Sequence, residues 1–152
     1  MSFMIDFSIT TPERVLVSEK VDSLTLPTEL GEITVLKNHI PLVANLVPGE
    51  VRYKIHGKDN FFAVSGGFIE VKEDNRVVVL ADTAEFGQEI DLDRAKQAKQ
   101  RAQKLMQESY TDEKTFTEAA ALLEKSLARL RVAKKHRTHT HANLESGNLS
   151  QK

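Results

Sequence analysis

Four cations recur at helical intervals in the second half of the chain: Arg94 and Arg101, seven residues apart, and Lys125 and Arg129, four apart. Each pair shares a helix face, because positions four and seven residues on return to the same side. If the two helices fold back on each other, such cations can converge on phosphate oxygens through charge-assisted hydrogen bonds. Spacing alone favours the plainer reading, four solvated helix charges. A denser run follows: residues 124–137 hold Lys125, Arg129, Arg131, Lys134, Lys135 and Arg137 against the single acid Glu124. Such a basic end suits an acidic protein surface, with a solvated face as the alternative. Other chemistry is thin. No glycine-rich loop leads into a Lys-Ser or Lys-Thr pair, so there is no Walker motif. His39 and His56 sit in turn-like stretches without a neighbouring nucleophile, which points away from catalysis. His136, His139 and His141 are close enough to bind a metal weakly, but their polar surroundings favour a solvated segment.

The composition narrows the classes further. A chain of 152 residues, 40% hydrophobic and 28% charged, fits one globular domain with an appendage. A formal net charge of −1 gives no support for nucleic-acid binding. The absence of cysteine rules out disulfides and thiolate metal sites and suits a reducing compartment. The longest apolar burst, residues 77–81, is far short of the roughly 18 residues of a spanning helix. The first six residues lack a basic region followed by an apolar one, so no secretory signal is expected. The expectation is a soluble protein, peripheral to a membrane at most.

The elements that must position the cations change grammar between Glu85 and Ala95. Before that stretch, apolar residues alternate or run in short β-branched bursts punctuated by Gly and Pro; after it, neither Gly nor Pro appears until Gly147. The alternation predicts about nine short strands over residues 1–88, including one closed by Pro27 and one carrying Val51, Tyr53 and Ile55 with a wet face. Gly66-Gly67 reads as a bulge or a close backbone approach. Strands at such spacing predict an antiparallel β-sandwich, or flattened barrel.

Residues 89–137 predict a two-helix hairpin. Leu92, Ala95, Ala98, Ala102 and Leu105 form one stripe, and Phe116, Ala120, Leu123, Leu127 and Leu130 the other. Asp91 is the expected N-cap of the first helix, with Asp93 favourable to its dipole. The second helix is capped by Thr115 with Glu118 as a capping box, or a turn earlier by Asp112. The first stripe is mostly alanine, so the hairpin should be marginal unless something else holds it. Residues 138–152 are polar and aperiodic, and a disordered tail is expected there.

Five ordered stretches resemble the epsilon subunits of bacterial F-type ATP synthases. They are Pro27-x-x-x-Gly31 with Val35-Leu36-x-x-His39-x-Pro41-Leu42, residues 65–71 (SGGFIEV), 79–85 (VLADTAE), 90–95 (IDLDRA) and 128–132 (ARLRV), spanning about residues 4–135. Thr34 stands where that family often has a second glycine. The resemblance implies a non-catalytic central-stalk subunit of the proton-translocating enzyme, peripheral on the cytoplasmic face of the bacterial membrane. It implies a sandwich that binds the gamma subunit and rests on the c-ring, with Glu29, Gly31, Glu32 and His39 as contact residues. It also implies a hairpin that either folds on the sandwich or extends toward the alpha and beta subunits and inhibits ATP hydrolysis, with Arg131, Lys134 and Lys135 as contacts. No cofactor is implied, but ATP is a possible regulatory ligand at Glu85, Asp91, Arg94, Arg101, Lys125 and Arg129. Lys125 departs from the arginine of strong ATP binders, giving a point charge in place of a bidentate fork. The alternative from another class is a free-standing β-sandwich ligand-binding module with a dimerising helical hairpin. An enzyme is the third reading.

Overall fold

The computed structural model describes residues 4–149, with side chains described through residue 138. Ten strands come first: β1 (Ile5–Thr10), β2 (Val15–Val21), β3 (Ser23–Thr28), β4 (Gly31–Val35), β5 (Leu42–Leu46), β6 (Gly49–Ile55), β7 (Lys58–Val64), β8 (Gly67–Val71), β9 (Arg76–Ala81) and β10 (Ala84–Phe86). A 3₁₀ turn (Gly87–Glu89) leads into α1 (Leu92–Glu108) and α2 (Glu113–Leu149). The strands form one sheet in the order β10-β7-β6-β3-β5-β8-β9-β1-β2, with β4 paired to β3. It wraps around a core that includes Phe7, Ile9, Leu24, Leu26, Val51, Phe62, Ile69 and Val79. The expected β-sandwich followed by a helical hairpin is therefore present.

Within the sheet, two details differ from the sequence reading. The ladder between β1 and β9 is parallel, while all the others are antiparallel. Pro27 does not end its strand: β3 runs on to Thr28. Proline removes only a donor, and its carbonyl still accepts from Val47 N at 3.1 Å. The Gly66-Gly67 pair does mark a close approach, because a Cβ on Gly67 would collide with the Leu80 carbonyl and the Ala81 Cα. His56 belongs to a tight two-residue hairpin turn with Gly57, both at positive φ (49° and 78°), as the twist of the flanking strands favours.

The hairpin folds back on the sandwich. α2 lies against β6, β7, β10 and the 3₁₀ turn, and α1 packs chiefly on α2. Among the described residues, the positions the helices bury are small: Ala95, Ala98 and Ala102 on α1, and Ala119, Ser126, Ala128, Val132 and Ala133 on α2. The leucine seam expected on α2 is displaced, since Leu123, Leu127 and Leu130 are only half-buried and Phe116 is exposed. A helix with neighbours on two sides buries two narrow faces, which a single two-in-seven stripe does not capture. Small residues also let the helix backbones approach closely, and Ser126 meets its polar demand by donating to the Leu122 carbonyl at 2.8 Å. The start of α2 is set by Asp112, whose carboxylate accepts from Thr115 N (3.4 Å) and Oγ1 (2.8 Å); Thr115 is inside the helix and not its cap.

α2 continues through residues 138–149, where a disordered tail was expected. No proline interrupts it, and each residue added to an existing helix gains a hydrogen bond without a new nucleus. Gly147 weakens that end by only about 1 kcal/mol.

Candidate functional site

The junction is built from the 3₁₀ turn outward. Phe86 closes an aromatic series that starts in the sandwich core: Phe7–Tyr53, Tyr53–Phe62 and Phe62–Phe86 ring centroids are 5.6, 5.2 and 4.5 Å apart. Glu89 at the end of the turn reaches back with one oxygen to Phe86 N (3.0 Å) and with the other to Arg14 Nη2 (2.7 Å) in the β1–β2 connection. Burial pushes the Glu89 carboxyl up, but the Arg14 and Phe86 hydrogen bonds outweigh it and hold it below the usual carboxylate range. Asp91 then caps α1 as expected, accepting from Arg94 N at 3.1 Å.

Three contacts dock α2 on this platform. Arg129 Nε donates to Glu85 Oε2 at 2.9 Å, with both side chains largely covered. Lys135 Nζ donates to both oxygens of Glu50, at 2.6 and 2.9 Å, and lies 4.8 Å from the centre of the Phe61 ring. Between them, Val132 and Ala133 pack with Ala63, Ile90 and Ala95 in a small apolar cluster edged by Phe61, Leu92 and Leu130. A cleft of ≈ 520 Å³ remains where the β6–β7 turn, Gly87, Gln88 and His136 meet.

Of the six residues implied for ATP, Glu85 and Arg129 are thus brought together, and Asp91 and Arg94 meet through the α1 cap. Arg94 and Arg101 are exposed on α1, and Lys125 is half-buried on α2; none of the three holds an ion pair among the described residues. Arg101 borders a shallow depression with Gln97, Gln100 and Lys104, all from its own helix. The basic end of α2 is divided. Arg131 and Lys134 are exposed, whereas Lys135 is committed to Glu50. His136 is half-buried beside Gly87, and no metal-binding cluster of three occurs among the described residues. The side chains of His139 and His141 lie outside the described residues.

The implied subunit contacts on the sandwich fall at opposite ends of β4. Glu29 lies in the β3–β4 turn, beside Leu30, with Gly31 and Glu32 opening β4; His39 sits in the connection to β5, its Nδ1 2.7 Å from the Ile40 carbonyl oxygen. An apolar stripe beside the turn escaped the sequence reading. Val43 on β5, Phe68 on β8 and Leu80 on β9 share the outer face of the sheet and are 71%, 60% and 54% exposed. Fully exposed Leu30 extends the stripe through a groove shared with Ile33, Val43 and Phe68. Its signal was available: Phe68 alternates in phase with Glu70, on the wet side of β8. Glu50 and Phe61 carried no such signal, because the partner of Glu50 is 85 residues away.

Comparison with known proteins agrees with this architecture. Residues 4–87 match the family description "ATP synthase, Delta/Epsilon chain, beta-sandwich domain", and residues 88–134 match its "long alpha-helix domain". The chain is 43% identical to the ATP synthase epsilon chain of Dehalococcoides mccartyi over 135 residues, covering 89% of this chain and 96% of the relative. It is 41% identical to that of Nitratidesulfovibrio vulgaris over 132 residues, covering 87% and 97%. Among solved structures it is similar to a chain of the Euglena gracilis mitochondrial ATP synthase (OSCP, F1 and c-ring), with a TM-score of 0.75, 27% identity, and coverage of 88% of this chain and 82% of that one.

The Glu89 clamp gives the junction a signed pH dependence. A carboxyl depressed on folding contributes stability above the ordinary carboxylate range and loses it as pH falls through the folded value. A partly exposed pair of this kind is worth about 0.2–1 kcal/mol. Acidification below about pH 4 is expected to lower the amide protection factor of Phe86, and Glu89→Gln should show the lower value already at pH 7. Equal protection in both proteins at both pH values would rule the clamp out.

Proposed function

The chain belongs to the ATP synthase delta/epsilon chain family, which makes it a non-catalytic subunit of the central stalk of F1; from that premise we propose that its sandwich is a rotor coupling element and its hairpin a brake on ATP hydrolysis. The observation that carries the brake is the manner of docking. α2 is held by two ion pairs and a cluster of small residues, an attachment that can be exchanged for another acidic surface. Its exposed cations Arg131 and Lys134 point to the acidic groups of the alpha and beta subunits as that second surface. The rotor role rests on the exposed stripe of Leu30, Val43, Phe68 and Leu80, which fits the gamma subunit as an apolar docking face. Glu29, Gly31, Glu32 and His39 would meet the c-ring, and through it the chain would sit at the cytoplasmic face of the membrane. The free-standing module with a dimerising hairpin loses its basis, since the helices spend their small-residue faces on each other and on the sandwich.

Regulation by ATP belongs to the same reading. Arg94 and Arg101 offer guanidinium groups that are not ion-paired among the described residues, and folding of the hairpin brings Glu85 and Arg129 to the same junction. ATP would favour the docked hairpin only by its differential affinity for it.

Three measurements check these roles. Coexpressed with the gamma, alpha and beta subunits and the c-ring, the chain should co-purify with gamma. In the same assay Phe68→Asp should keep the fold and weaken gamma binding by roughly 10- to 100-fold, the equivalent of about 1.5–3 kcal/mol for one buried phenylalanine. Failure of the wild type to co-purify would end the rotor reading. Replacing Arg131 and Lys134 by alanine in the assembled enzyme should raise ATP hydrolysis, and an unchanged rate would count against the brake. In calorimetry, ATP should bind the isolated chain saturably, and Arg94→Ala should bind it at least about tenfold more weakly, as loss of a charged hydrogen bond implies. Absence of saturable heat at millimolar ATP would remove ATP from the mechanism.

A further inference from the structure

Gly87, the first residue of the 3₁₀ turn, lies directly against α2. A Cβ built there would stand 2.5 Å from His136 Cβ and 3.0 Å from the Val132 carbonyl oxygen. Both atoms belong to the rigid part of the helix, so no side-chain rotation relieves the clash and α2 itself would have to move. The backbone of Gly87 is not in the positive-φ region that demands glycine. The turn's own backbone therefore does not demand glycine, and the three nearest atoms that a side chain would meet all belong to α2. One residue before His136, Lys135 donates to both Glu50 oxygens, and its ammonium lies over the Phe61 ring, which lines the same cleft as Gly87. Glu50, only 14% exposed, is a carboxylate shielded by the helix it holds.

We propose that Glu50, Phe61 and Gly87 form a seat for the C-terminal half of α2, and that the seat competes with acidic partner surfaces for Lys135, so that it sets how strongly the hairpin inhibits. The competition rests on the brake reading above; the seat does not. Lys135 reaches Glu50 only while α2 lies on the sandwich, so the same side chain cannot also lie on a partner surface that the helix meets only by leaving. Anything that weakens the seat therefore frees both the helix and its cation. Gly87 controls the steric half of this balance and Glu50 the electrostatic half, and the two can be changed separately.

The chain contains no cysteine, so spin labels can be placed at Lys58→Cys and Arg137→Cys, both exposed positions, without background. Lys58 lines the same cleft as His136, the neighbour of Arg137, so a single short distance is expected in the full-length protein. Gly87→Val and Glu50→Gln should each reduce the short-distance population relative to the long one by at least about tenfold, with the cooperative melting of the sandwich unchanged. Where valine disturbs the sandwich, Gly87→Ala replaces it, since its Cβ already meets the helix. Retention of the short distance in the Gly87 variant or in Glu50→Gln would overturn the seat. In the assembled enzyme, released variants should hydrolyse ATP several-fold more slowly than wild type. Unchanged hydrolysis with a released hairpin would overturn the competition, and the brake with it, while leaving the seat in place. The two failures are thus distinguishable.

Discussion

The pairing of Lys135 with Glu50 decides what kind of joint links the helices to the sandwich. Among the described residues, the side chains that the helices bury are, apart from Val132, alanines and one serine, flanked by partly covered leucines. Among the described residues, no aromatic side chain of the hairpin enters the sandwich core. Burial of a methyl contributes about 0.8 kcal/mol, well below the 1.5–3 kcal/mol of a large side chain. The apolar part of the joint is therefore shallow, and the ion pairs decide where the helix lies. Partly buried pairs give back much of their attraction as lost hydration. They specify a position more than they deepen it, which is the property a reversible contact needs.

The sandwich has the opposite construction. Phe7, Phe62, Ile5, Ile9, Leu24, Leu26 and Ile69 are fully enclosed, and large-to-small changes in such a core typically cost about 2–5 kcal/mol. The aromatic series from Phe7 to Phe86 carries this rigidity to the very residue where the 3₁₀ turn begins, and the Arg14–Glu89 clamp fixes the turn to the β1–β2 connection. Any displacement of the hairpin would thereby be confined to the helices beyond Glu89. A helix pair that moves on a fixed pivot can change its contacts without disturbing the outer face that carries Phe68 and Leu80.

Much of this was legible in the sequence because it is written locally. The change of period at Glu85–Ala95 and the Asp91 cap depend on neighbours within a few residues, and the paired glycines at 66–67 announce a close approach even though the strand they approach lies further along the chain. The parallel β1–β9 ladder was not legible, because a strand carries no mark of the direction of its partner. The face of α2 was misread for a related reason: periodicity reports how many positions are apolar but not that two separate surfaces share them. The docking residues were the least accessible. Glu50 looks like any strand glutamate until Lys135, 85 residues on, is set against it. Gly87 looks like a loop glycine until His136 fills the space its side chain would need.

The division among the cations of α2 has a consequence for how solution conditions act on the joint. Arg131 and Lys134 face water, where mobile ions screen charge over about 8 Å at physiological ionic strength. Glu50 and Arg129 are mostly covered, so their pairs are screened far less. Salt therefore weakens the attraction of the exposed cations to a distant acidic surface more than it weakens the contacts already made to the sandwich. Cations at neighbouring helix positions thus differ in setting: in the proposed brake, the outward ones would serve the approach to a partner and the inward ones the departure from the seat. Burial, and not charge count, separates them, which is why a net excess of basic residues over 124–137 said so little about which of them act.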